Sequence, residues 1–167
     1  MRGLCRGGAL LVVGMILGSL LTGSSAAQQP RDAGVRLFSV GLSVTNFDAE
    51  FDFYTKTFGF REAFTLRDSA GKPTMAFLQI SRDTFLQLVP ARPDRPAGLS
   101  SVLLEVDDVQ SSVAKLRRAG AQLQDPRVSP NTKSTLTSVT DPQGIRVELI
   151  EMTPGSLIRT AKESWSQ

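Results

Sequence analysis

Hydrophobic and polar positions alternate from Arg36 to Val44. Phe38, Val40, Leu42 and Val44 fall on one side, and Leu37, Ser39, Gly41 and Ser43 on the other. This period of two predicts a half-buried strand. Asn46 then offers a side-chain oxygen to an early N–H of a helix. Phe47, Phe51, Tyr54 and Phe58 recur at helical spacing, which predicts an aromatic stripe packed on the sheet and a stop near Gly59. Three further strands are expected over 62–67, 74–80 and 84–89, separated by Asp68-Ser69-Ala70-Gly71 and Ser81-Arg82-Asp83. Residues 90–98 hold three prolines and read as a linker.

The same order then returns. Ser39–Val44 corresponds to Ser101–Val106 at an offset of 62, and Phe85–Val89 to Arg146–Ile150 at an offset of 61. In the second copy the pattern predicts a strand over 100–106 and a helix over 109–119, capped by Asp108 and ended by Gly120. Strands near 122–128, 134–140 and 144–151 follow, the last two joined by the turn Asp141-Pro142-Gln143-Gly144. The chain is thus βαβββ twice. Each helix must cover one face of its strands. The uncovered face is expected to carry Ser39, Phe85, Gln87, Ser101, Leu103, Arg146 and Glu148, a mixed surface suited to a cleft. The duplication makes Ser39, Gln87, Ser101 and Glu148 equivalent inward positions.

Composition changes the picture mainly at the start. Arg2 and Arg6 precede a 13-residue uncharged apolar run, Ala9 to Leu21, and Ser25-Ala26-Ala27 supplies small residues before Gln28. Residues 1–27 therefore read as an export signal, with an uncleaved membrane anchor as the competing reading. The run falls short of the roughly 18–20 apolar residues of a membrane span. Residues 28–35 read as a flexible leader and 153–167 as a tail whose pattern allows a helix and which carries the single Trp165. Removing the signal takes away two arginines and no acid, lowering the formal charge from +3 to +1. No basic stripe with interleaved aromatics points to nucleic acid. The only cysteine, Cys5, lies in the signal, so disulfides and thiolate chemistry are excluded from the mature chain.

Over residues 36–152 the sequence resembles the vicinal oxygen chelate superfamily of glyoxalases, extradiol dioxygenases and bleomycin-resistance proteins. The residues that carry the likeness are Asn46-Phe47, Phe53-Tyr54 with Phe58-Gly59-Phe60, Val106-Asp107-Asp108-Val109, and Asp141-Pro142-Gln143-Gly144 with Val147-Glu148-Leu149. The resemblance implies an α+β fold in which two βαβββ modules, 36–90 and 100–152, form a curved mixed sheet around a cleft, with helices on the outer face. It also implies that metal ligands, where a member has them, sit at Ser39, Gln87, Ser101 and Glu148. Only Glu148 is a strong ligand type there, and the chain has no histidine. Fe, Ni or Zn sites normally use imidazole, thiolate or several carboxylates. The expectation is therefore no resident metal or other cofactor, with at most a weakly held Ca²⁺ or Mg²⁺.

Glu148 has two readings: a general base or ligand-orienting carboxylate, or one half of a buried pair with Arg146. Ser39 and Ser101 lack a histidine to activate them as nucleophiles. Three functions follow. The first is an exported small-molecule-binding protein of bleomycin-resistance type, periplasmic or secreted from a bacterium, homodimeric and free of the membrane after cleavage. The second is a glyoxalase-type lyase or isomerase using Glu148, alone or with a weak ion. The third is a structural module that pairs subunits through the open sheet face.

Overall fold

In the computed structural model of the chain, residues 34–166 are described. The order is β1 (Val35–Val44), α1 (Phe47–Asp52) continuing into a π-helical turn (Phe53–Thr57), β2 (Arg61–Arg67), β3 (Pro73–Ser81) and β4 (Thr84–Pro90). Then come β5 (Gly98–Val106), α2 (Val109–Arg118), β6 (Arg127–Val128), β7 (Thr135–Thr140), β8 (Arg146–Glu151) and α3 (Leu157–Glu163). The proposed signal and residues 28–33 of the leader lie outside the described residues, and Val35, placed in the leader by the sequence, already belongs to β1.

All eight strands form one mixed sheet in the order β2-β3-β4-β1-β5-β8-β7-β6. Each module pairs its first and fourth strands in parallel, β1 with β4 and β5 with β8. The modules meet through antiparallel β1 and β5, with Val40 opposite Val102. The two repeats therefore pair within one chain.

Local signals place the helices as the sequence predicts. Asn46 accepts from Ala49 N at 3.2 Å, and Asp108 from Ser111 N at 3.0 Å. These bonds satisfy donors that the first helical turn leaves without partners. Glu151, at the end of β8, accepts from Val109 N at 3.0 Å and pins α2 to its own module. The first two helices each cover a cluster on one sheet face: Val44, Leu78, Leu86 and Leu88 under α1, and Val106, Leu123 and Leu149 against Val109 and Val113 of α2.

Three expectations are corrected. Phe58 is 58% exposed rather than packed. The π turn inserts extra residues into the helical period, so Phe58 leaves the sheet cluster that Phe47, Phe51 and Tyr54 join, and its ring meets the outer side of that stripe, 6.0 Å from Tyr54 and 5.6 Å from Phe60. Residues 122–126 form no strand, because Pro126 has no N–H to donate and Leu123 turns into the cluster under α2. Phe38 joins the face opposite to the one its alternation predicts. On β1 two residues, Phe38 and Ser39, stand against Leu103 alone, a bulge that turns Phe38 into a cluster with Phe85, Leu103 and Ile150.

The tail, whose docking the sequence left open, forms α3 and docks on the sheet face that α1 and α2 leave open. Ile158 and Ala161 pack against Phe38, Phe77, Phe85 and Leu103. Lys162 Nζ lies 2.8 Å from Glu105 Oε2 and 3.1 Å from Asp83 Oδ1. Arg61 donates to Ala161 O and Ser164 O, each at 3.1 Å, and sits 4.9 Å from the Trp165 ring centre. Trp165 is thereby held beside β2.

Candidate functional site

The four central strands place the residues of the open face in two rows. Cross-strand register sets Gln87, Gly41, Ser101 and Arg146 side by side, and in the next row Phe85, Ser39, Leu103 and Glu148. In the first row Ser101 Oγ donates to Gln87 Oε1 at 3.3 Å, and Gln87 Nε2 approaches Met75 Sδ at 3.5 Å. They reach each other across β1 because residue 41 is glycine. A Cβ there would stand 2.2 Å from Ser101 Oγ and 2.6 Å from Gln87 Oε1. Ser100 is the extra residue of a second irregularity, between the pairs Gly41–Ser101 and Leu42–Leu99. Its hydroxyl also crowds the same point, at 2.9 Å.

In the second row Glu148 Oε1 lies 2.7 Å from Arg146 Nε, with the carboxylate side chain 17% exposed and the guanidinium 46%. The Arg146–Glu148 pair is therefore formed, but it is not the buried pair expected, because the guanidinium reaches out of the cleft wall into solvent. Ser39 is buried, and its hydroxyl turns to Val40 O at 3.3 Å. It lies in register with Phe85 and Leu103, both packed in the cluster that Ile158 of α3 joins.

Beside α3 a cleft of about 700 Å³ remains. It is lined by Gln87, Ser101, Leu103, Arg146 and Glu148 of the expected residues; Ser39 and Phe85 are outside the lining. Leu136, Ile150 and Ile158 supply apolar wall. The structure adds residues that the strand pattern did not single out: Arg92, Asp94 and Arg95 from the interdomain-like linker, Arg127 from β6, and the loop Ser129–Thr132. The linker's prolines drew attention to its backbone, while its two arginines were the unused signal. Arg95 donates to Pro90 O at 2.9 Å, and its own carbonyl accepts from Ser43 Oγ at 3.0 Å. Burial first, and then the neighbouring Arg92 charge, lower the Arg95 pKa below the usual arginine value, with Asp94 opposing.

The donor set does not fit a tightly held Fe, Ni or Zn ion. Among the described residues no three His, Cys, Asp or Glu side chains converge. Glu148 is the single carboxylate of the predicted quartet and already neighbours a guanidinium. The Gln87 oxygen accepts from Ser101, and Ser39 points into its own strand. One engaged carboxylate and one engaged amide leave such an ion under-coordinated.

The family model described as Glyoxalase/Bleomycin resistance protein/Dioxygenase superfamily matches residues 36–149. A relative in Escherichia coli (strain K12), "Uncharacterized protein YaeR", is 38% identical over 64 residues, 37% of this chain and 50% of that protein. The chain thus spans about half the length of that curated relative. Among solved structures, a methylmalonyl-CoA epimerase from Mycobacterium tuberculosis is similar at TM-score 0.62 and 20% identity, covering 77% of this chain and 96% of that one. A methylmalonyl-CoA epimerase in complex with methylmalonyl-CoA and NH4+ is similar at 0.60 and 22%, covering 73% and 97%. A variant of the Streptomyces coelicolor methylmalonyl-CoA epimerase in complex with 2-nitronate-propionyl-CoA is similar at 0.59 and 22%, covering 72% and 96%. At such identities the likeness to these structures carries the fold alone.

Proposed function

The chain belongs to the glyoxalase/bleomycin resistance protein/dioxygenase superfamily, and from that premise we propose that its cleft binds a small molecule without a tightly held metal ion. The observation that carries this reading is the 2.7 Å Arg146–Glu148 contact, which commits the one strong ligand type of the expected quartet to a guanidinium. The cleft of about 700 Å³ is of the size that holds small ligands. Proteins of similar fold have been solved in complex with CoA compounds, which supports a small-molecule ligand for this fold. The test is elemental analysis of the purified protein after dialysis, with and without added Ni²⁺, Zn²⁺, Fe²⁺ and Mn²⁺. A metal ratio near zero is expected, and a ratio near one would overturn the reading.

A second reading makes the protein a lyase or isomerase with Glu148 as general base. It is favoured by the position of Glu148 in the cleft lining, only 17% exposed beside apolar Leu103 and Ile150. A base so placed can take a proton next to a carbonyl, and Arg146 can steady the charge that develops. Export through residues 1–27 and a homodimer complete the proposal. The first rests on the apolar run and the small residues before Gln28. The second rests on the family's habit of two-fold assembly.

A further inference from the structure

Four arginines, Arg92, Arg95, Arg127 and Arg146, line the one cleft, against two carboxylates, Asp94 and Glu148. The carboxylates are spoken for: Asp94 lies 3.3 Å from Arg92, and Glu148 2.7 Å from Arg146. Arg95 and Arg127 have no carboxylate within 4 Å among the described residues, in a protein whose other arginines often do have one. The Nε of Arg95 is in addition buried with no hydrogen-bond partner. A buried donor without an acceptor is unfavourable until something supplies one. Beside these cations the wall is apolar, with Leu103, Leu136 and Ile150.

We infer that the cleft takes an amphipathic organic anion, its carboxylate or phosphate held by Arg95 and Arg127 and its apolar body laid on Leu103, Leu136 and Ile150. This rests on the small-molecule reading above and names the ligand class for it. Guanidinium groups match both anions with paired N–H donors, and the match strengthens where water is excluded. A neutral ligand of the same shape would leave two cationic groups facing it without a counter-charge.

The experiment is calorimetric titration of the full chain with octyl phosphate, octanoate, 1-octanol and inorganic phosphate. The two octyl anions are expected to bind at least about tenfold more tightly than octanol, with binding weakening as salt rises. Which of the two binds more tightly assigns phosphate or carboxylate as the preferred group. An Arg95→Gln/Arg127→Gln protein, checked for folding by circular dichroism, is expected to lose about tenfold or more for the anions and nothing for octanol. Exposed Arg127→Gln alone serves if the double variant unfolds, with a smaller loss in the same direction. Equal binding of octanol and octyl phosphate, or anion binding unchanged in the variants, would overturn the anion assignment and leave the small-molecule reading standing. Binding by none of the probes would count against both. Inorganic phosphate bound as tightly as octyl phosphate would overturn the apolar half of the proposal.

Discussion

Gly41 on β1 and Ser101 on β5 are opposite each other, and a single methyl on Gly41 would fall 2.2 Å from the serine hydroxyl. The contact between Gln87 and Ser101, which belong to different modules, exists because the residue between them has no side chain. Gly41→Ala is therefore expected to push the two side chains apart and to destabilise the fold by about 1–3 kcal/mol, as overpacking does. Urea unfolding of the two proteins checks it. An unchanged midpoint would mean that the Ser101 and Gln87 side chains move aside freely.

Glu148→Gln separates the two readings of the cleft. The substitution keeps the shape and removes the negative charge beside Arg146, 2.7 Å away. If the cleft only binds, affinity for octyl phosphate should rise several-fold, about the effect of one nearby like charge removed from a partly exposed site. If Glu148 is a base, turnover of an identified substrate should fall by about 10²–10⁴. Titration and steady-state kinetics on the same variant decide between them.

Ile158 is 1% exposed in the cluster with Phe38, Phe85 and Leu103, so α3 is part of the core rather than an appendage. Ile158→Ala should lower stability by about 2–5 kcal/mol through lost burial and the cavity left behind. Thermal unfolding measures this. A loss well under 1 kcal/mol would show that α3 detaches without consequence.

Asp107 gives a pH dependence with a definite sign. Its hydrogen bond from Arg36, at 2.6 Å, and the charge of that guanidinium hold the carboxyl below the usual aspartate value, with desolvation opposing weakly. The native group then binds protons less readily than the unfolded one. The pair stabilises above the ordinary carboxylate range, and its contribution is lost as the pH falls through the lowered native value. Both groups are exposed, so the effect on stability is small. Side-chain NMR titration of Asp107 should show the value returning toward normal in Arg36→Gln.

Much of the fold was legible in the chain because its signals are short-ranged. Asn46 and Asp108 announce their helices within three residues, and β4 and β8 carry the same alternation in both copies. The Arg146–Glu148 pair was legible for the same reason, since residues two apart on a strand share a face. Phe38 was not, because a bulge depends on how many residues the partner strand sets opposite it, and β5 is more than sixty positions away. Nor was the exposure of Phe58, where a widened helical turn rotates the ring off the sheet cluster.

By itself the sequence determined the duplication, the order of elements, the caps, the absence of histidine and the absence of cysteine from residues 34–166, since each is a matter of neighbouring residues or of composition. The tertiary structure decided the rest. It turned Ser39 away from the cleft and Gly41 into a passage between Gln87 and Ser101. It brought Ile158 over the open face and placed arginines from the linker and from β6 along one cleft. These are meetings between segments far apart in the chain. Their outcome depends on strand register and loop closure, which no short window of residues contains.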